Sequence, residues 1–179
     1  MCDKNKNTAK KLATSFENNE IEKTYQLICR GWSPPEGLID HALTPKSDFT
    51  KSRGNISEQT VTAKEAQTEF KTLETFELEA FVDRYPKTRY SYVEAHPKTG
   101  RKHQIRRHFK HIGHPLVGDA KHGKSLHNRF FESTLGESRL YLHASALRFL
   151  HPSSAEPMYF KCQVSGLFFE ALDWLRRSS

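Results

Sequence analysis

The densest set of residues able to do chemistry lies in Lys98–Gly123, KTGRKHQIRRHFKHIGHPLVGDAKHG. Lys102–Ile112 has the pattern of one short basic helix, stopped by Gly113, which tolerates a left-handed cap, and by Pro115, which cannot continue the backbone ladder. At about 3.6 residues per turn, Ile105, Phe109 and Ile112 share one stripe. His103, Arg106, Arg107, Lys110 and His111 fan out on the other side. Such a helix docks one face on a core and presents cations on the other, which are either a plain solvated basic face or a surface that binds phosphates. A metal site does not suit the stretch. The histidines between His103 and His127 follow no HExxH or paired Cys/His spacing, and His103, His108, His111 and His114 do not gather on one helical face, so no metal is expected.

The rest of the composition agrees with a polyanionic partner. The formal net charge is +7, and clustered Lys and Arg gain affinity for nucleic acid by displacing counterions from phosphates. The 179 residues suit one domain with a real core. Residues are 36% hydrophobic, yet no apolar run approaches the roughly 20 residues of a membrane helix. Met1–Lys11 is polar and lacks a signal peptide's apolar segment. Cys2, Cys29 and Cys162 form no CxxC pair and fit a reducing compartment, with Cys29 and Cys162 as small strand residues. These features predict a cytoplasmic chain.

The elements that must position the basic helix follow from periodicity. Asn5 or Asn7 can cap a first helix with Ala9, Leu12, Ala13 and Phe16 on its apolar face, ending near Asn18 and Asn19. Glu20–Trp32 alternates as a strand closed by the Ser33–Gly37 turn, and Leu38–Leu43 is a second short strand. Thr44–Gln59, polar and mixed in charge, is a loop. Ala66–Leu73 and Phe76–Val82 are two further strands, and Arg89–Ala95 returns antiparallel and leads into the basic helix. Leu116–Asp119 is a short apolar run ending in a tight turn, and Ala120–Ser138, with His122, Lys124, His127 and Arg129, is expected to be a flexible polar flap. Arg139–Phe149 and Pro157–Val164 are strands joined by the His151–Glu156 turn, and Gly166–Arg177 is a closing helix with Leu167, Phe168, Ala171, Leu172 and Leu175 inward. The fold class is α+β with a mainly antiparallel sheet.

Three blocks, taken in order, resemble the RluA-type pseudouridine synthases. They are Glu22-Lys23-Thr24-Tyr25 leading to Arg30-Gly31, the Lys98–Asp119 string, and Arg139–Pro152. Together with the spacing between them they cover nearly the whole chain. The resemblance implies an RNA-modifying isomerase that needs no cofactor, in which a uridine is flipped out of its stack, its glycosidic bond broken, and the uracil rejoined through carbon. It is strongest toward the members that act on tRNA, with ribosomal RNA as the other substrate. It implies that Tyr25 stacks on the uracil and that Arg106 pairs with the catalytic aspartate, keeping that carboxylate ionised. Lys102, His103, Arg107, Lys110, Lys121 and Lys124 become the candidates for RNA contacts. Leu142 is a pocket wall or plain core.

One feature of the family's pattern is missing. Its catalytic aspartate lies in an HRLD-like segment, and Asp3, Asp40, Asp48, Asp83, Asp119 and Asp173 all lack that context. Asp119 is the nearest rival, although the matching family residue ends a structural turn. The expectation is therefore that residues 1–179 form a single domain corresponding to the C-terminal portion of a pseudouridine synthase, without its nucleophile. The alternative is a catalytically inactive protein that binds structured RNA, and an in-frame HRLD motif upstream of Met1 would tell the two apart. A third reading is a basic structural domain with a protein partner, against which salt-sensitive RNA binding would count. A sheet lacking its neighbouring strands should expose an edge and apolar surface, which predicts self-association.

Overall fold

The computed structural model describes residues 6–45 and 62–179. Asn5 and nearly all of the expected Thr44–Gln59 loop lie outside them. In chain order the elements are α1 (Lys6–Glu17), β1 (Glu22–Arg30), β2 (Glu36–Asp40), β3 (Gln67–Leu78), β4 (Thr88–Pro97), α2 (Gln104–His111), α3 (Ser125–Leu135), β5 (Leu142–Leu150), β6 (Pro157–Lys161) and α4 (Leu167–Ser178). Six strands form one sheet in the order β2-β3-β4-β1-β5-β6, with every neighbouring pair antiparallel. The expected α+β class is the observed one.

The central strands β1 and β4 feed two cores because successive side chains point to opposite faces. Leu27, Cys29, Val93 and Ala95 meet Ile105 and Phe109 of α2 on one face. Ile28, Tyr90 and Tyr92 meet Phe131 of α3 and Phe168, Leu172 and Leu175 of α4 on the other. The stripes anticipated for the basic helix and the closing helix are thus the ones that dock.

β3 is one strand, where two were expected. Its ladder to β4 passes from Thr72↔Val93 to Glu74↔Tyr92, so Leu73 is an extra residue. A bulge reverses the parity of every position beyond it. Phe70 accordingly joins the α2 core and Phe76 the α4 core, although both are even-numbered. The change of phase is what made the sequence look like two segments.

Other differences are local. Leu43 bridges Lys64 outside any strand, so β2 is shorter and earlier than Leu38–Leu43. Lys102 is not helical, because His103 adopts left-handed backbone at φ 54° and becomes the N-cap of α2. The expected apolar face of α1 is mostly exposed: Thr8 is buried, while Ala9, Ala13 and Phe16 are open to solvent. The helix is instead tethered to the β5–β6 turn through Thr8 Oγ1 to Ser153 Oγ and Lys11 Nζ to the Pro152 carbonyl.

The largest correction concerns the flap. Eleven residues of Ala120–Ser138 form α3, with His127 and Phe131 buried and Gly136 as a left-handed C-cap. Asn128 ties it down, accepting from Gly118 N–H and donating to the Asp119 carbonyl. The helical spacing of His127 and Phe131 is diluted by polar neighbours, which hid the element.

Candidate RNA-binding and active-site cleft

Tyr25 sits where the sheet is locally irregular. Thr24 pairs with Ala146 while Tyr25 pairs with Ala144, leaving Ser145 as the extra residue of a bulge. Bulges re-aim neighbouring side chains. Ser145 is buried and its hydroxyl donates to the Thr24 carbonyl, which fixes the distortion.

The turn before α2 is held by Gln104, a residue the sequence reading passed over. Its Oε1 accepts from Thr99 Oγ1 and from Arg101 N–H, while its Nε2 donates to the Gln67 carbonyl and to Thr68 Oγ1. All of its amide hydrogen-bonding groups are used, and the side chain is buried. His108, one turn along, completes the tie: its Nε2 donates to the His41 carbonyl, so its Nδ1 accepts from the Thr68 hydroxyl. Burial, followed by the neighbouring cations, lowers the His108 pKa and keeps it neutral, as this pattern requires. The start of α2 is thereby fixed to β3.

Arg106 projects from this anchored turn. Its Nε and Nη2 donate to the two Asp119 oxygens, both at 2.7 Å. Asp119 also accepts from the Lys121 and His122 amides, and its side chain is fully buried. Burial alone would raise its pKa, but the Arg106 hydrogen bonds and the two amides outweigh that, and the carboxyl lies below its ordinary value. Asp119 does end a structural turn, as the resemblance implied. The aspartate found on Arg106 is therefore Asp119, and the guanidinium edge spent on it is unavailable to another carboxylate.

Tyr25, His103, Arg106 and Leu142 come together in one cleft of about 330 Å³. Lys23, Arg101, Ile105 and Leu140 complete its working surface, and no lining residue is a carboxylate among the described residues. Leu142 is both alternatives at once, lining the cleft and packing on the α2 core. His103 Nδ1 lies 3.2 Å from His122 Nε2, and burial together with Arg106, Lys121 and Lys102 lowers its pKa. Burial likewise lowers that of Lys23. The remaining candidates lie outside the cleft. Lys102, Lys110, Lys121 and Lys124 are exposed, and Arg107 Nη1 donates to the Thr44 carbonyl. Lys23 and Arg101 are the cleft cations that sequence reasoning missed. The EKTY and TGRK strings contained them without marking them.

Residues 2–111 match the family model described as RNA pseudouridylate synthase. The chain is 40% identical over 169 residues to a tRNA pseudouridine synthase C of Vibrio parahaemolyticus, covering 93% of this chain and 68% of that protein. The chain belongs to the RNA pseudouridylate synthase family. A tRNA pseudouridine synthase C of Salmonella typhimurium is 37% identical over 163 residues, 91% of this chain and 62% of its own length. Among solved structures, human RNA pseudouridylate synthase domain containing 1 superposes with a TM-score of 0.65 at 26% identity, over 97% of this chain and 73% of that one. Human RNA pseudouridylate synthase domain containing 4 shares the fold, with a TM-score of 0.66 at 21% identity over 96% of this chain and 69% of the other. The sheet of this pseudouridylate synthase chain thus places Tyr25 and Arg106 on one cleft of a fold shared with other family members.

Proposed function

We propose that this pseudouridine synthase chain acts on tRNA, and that the cleft at Tyr25 and Arg106 receives the uridine to be isomerised. The observation that carries the reading is the convergence of an aromatic ring, an apolar wall of Ile105, Leu140 and Leu142, and the cations Arg106, Arg101 and Lys23 in a volume that suits one nucleotide. Flipping a uridine from a stack costs a few kcal/mol. Stacking on Tyr25 returns roughly 1–3 kcal/mol of that, and Lys23 and Arg101 meet the phosphates on either side.

Arg106 has a defined task in this scheme. Asp119 fixes its rotamer through Nε and Nη2, so Nη1 is the group left to meet the flipped nucleoside or the attacking carboxylate. The nucleophile itself is not a cleft residue. Asp119 is a poor substitute in chemical terms, because its two oxygens already accept four hydrogen bonds and none of its side chain meets solvent. The family reaction then requires an aspartate brought to Tyr25 and Arg106 from beyond the cleft's own lining.

The test uses unmodified tRNA carrying tritium at the uracil 5-position, incubated with excess chain. Rearrangement expels that hydrogen. Binding without release is the expected result. Release would sink this assignment of the nucleophile and single out Asp119, for which Asp119→Asn is the follow-up. A reading as an inactive binder of structured RNA rests on the same carboxylate-free cleft. It predicts that Tyr25→Ala weakens binding to tRNA and to a tRNA lacking the target uridine equally. We also infer self-association through the β6 edge, where Leu150, Tyr159 and Phe160 are exposed. Sedimentation showing a monomer at high concentration would refute it.

A further inference from the structure

A second cleft, of about 510 Å³, opens at the other end of α2. It is lined by Gly113 and His114, which follow that helix, and by Arg30, Asp83, Arg89 and His127. Its centre is Arg30 at the end of β1. Arg30 Nε donates to His127 Nε2 at 2.9 Å, so His127 is neutral there and its Nδ1 donates to the Tyr90 hydroxyl at 2.8 Å. Burial and the Arg30 charge agree, lowering the His127 pKa to about 4.

A neutral histidine orients the guanidinium without compensating it. The nearest carboxylate, Asp83, touches Nη2 at 3.5 Å through a single oxygen, and among the described residues Nη1 has no acceptor. The other lysine and arginine that line the cleft are already matched: Arg89 and Lys87 both pair with Glu77, and Lys87 also with Glu79. Arg30 is thus a positioned cation, 27% exposed at the side chain, facing an open cleft.

We propose that this cleft anchors the RNA by taking a backbone phosphate on the Arg30 guanidinium. The proposal rests on the reading of the first cleft as the uridine site. α2 has eight residues, so about 12 Å separates the two clefts along it, a distance that a short run of RNA backbone spans. Lys110, exposed on α2, lies between them. The backbone adjoining the flipped uridine runs along α2 and is held at both ends, leaving Tyr25 to act on a substrate whose register is already set.

The experiment compares the chain with Arg30→Gln and Arg30→Lys in filter binding to an unmodified tRNA transcript across a salt series. Arg30→Gln should bind about tenfold more weakly at low salt and flatten the log–log salt slope by about one, while Arg30→Lys keeps the slope. An unchanged slope in Arg30→Gln overturns the proposal. Should that variant fail to fold, phenylglyoxal labelling of the unsubstituted chain decides. Saturating tRNA must protect Arg30 and leave Arg177, whose side chain is 72% exposed near the end of α4, reactive. Equal labelling of Arg30 with and without tRNA overturns the proposal, and so does equal protection by inorganic phosphate at matched phosphate concentration, which would make the site one for a free anion. The two readings fail separately. A Tyr25→Ala variant with wild-type tRNA affinity sinks the uridine cleft while the Arg30 slope stands, whereas no tRNA binding by the unsubstituted chain sinks both.

Discussion

The clefts at the two ends of α2 contain two arginines held in opposite ways. Arg106 is locked by a buried carboxylate through two 2.7 Å hydrogen bonds, whereas Arg30 is oriented by a neutral histidine and grazed by Asp83 at 3.5 Å. A charge-assisted bidentate pair spends most of a guanidinium's capacity on geometry. A neutral partner fixes direction and leaves the charge available. The contrast separates a residue built to be rigid from one built to receive an anion.

The contrast breaks most severely at Asp119. Asp119→Asn leaves the Arg106 charge half-buried without its partner, and removal of one member of a buried pair costs about 3–5 kcal/mol. Urea unfolding should show a loss of this order, and a change under 1 kcal/mol would show that the pair does not organise the turn.

Acid should act next, on the contacts that buried histidines make before those that a carboxylate makes. A histidine whose folded pKa lies below its unfolded value of about 6.5 contributes fully above that pH. For His127, held down to about 4, the contribution drains as pH falls from about 6.5 toward 4, a loss on the order of 3 kcal/mol at most. Asp119 has a lowered carboxyl pKa, so its contribution persists down to about pH 4 and goes only below it. Hydrogen exchange at pH 5 should therefore show α3 and the end of β1 loosening while the Asp119 turn stays protected, and His127→Phe should remove that pH dependence.

Smaller effects grade the binding surface. Tyr25→Ala should cost roughly 1–3 kcal/mol in affinity for a tRNA with a flippable target uridine, read by filter binding. Lys110→Ala should weaken binding less, uniformly across RNA sequences, with the salt slope reduced by about one and thermal stability unchanged. A sequence-dependent effect at Lys110 would contradict its assignment to the backbone.

Sequence periodicity found the elements whose apolar residues recur densely in one phase. The docking stripe of α2, the inward face of α4 and the β4 strand are local repeats of apolar residues, so burial follows from spacing alone. β3 and α3 escaped it for different reasons. The Leu73 bulge changes phase within one strand, and the apolar positions of α3 are diluted by polar neighbours. Tyr25 and Arg106 became candidates through the resemblance because they lie in contiguous motifs.

Their shared cleft was not legible, since it depends on a Ser145 bulge, on Gln104 reaching β3, and on strand pairing that brings residues far apart in the chain together. The partner of Arg106 is also a tertiary fact: Asp119 lies 13 residues away across a glycine turn, at a spacing that no helical period implies. Arg30 and His127 are 97 residues apart and meet only because α3 packs against the end of β1. The sequence by itself determined which residue types were present and which faces were apolar, because those depend on near neighbours. Only the tertiary structure decided which charges would be compensated and which would face a cleft, because that depends on distance and burial between segments remote in the chain.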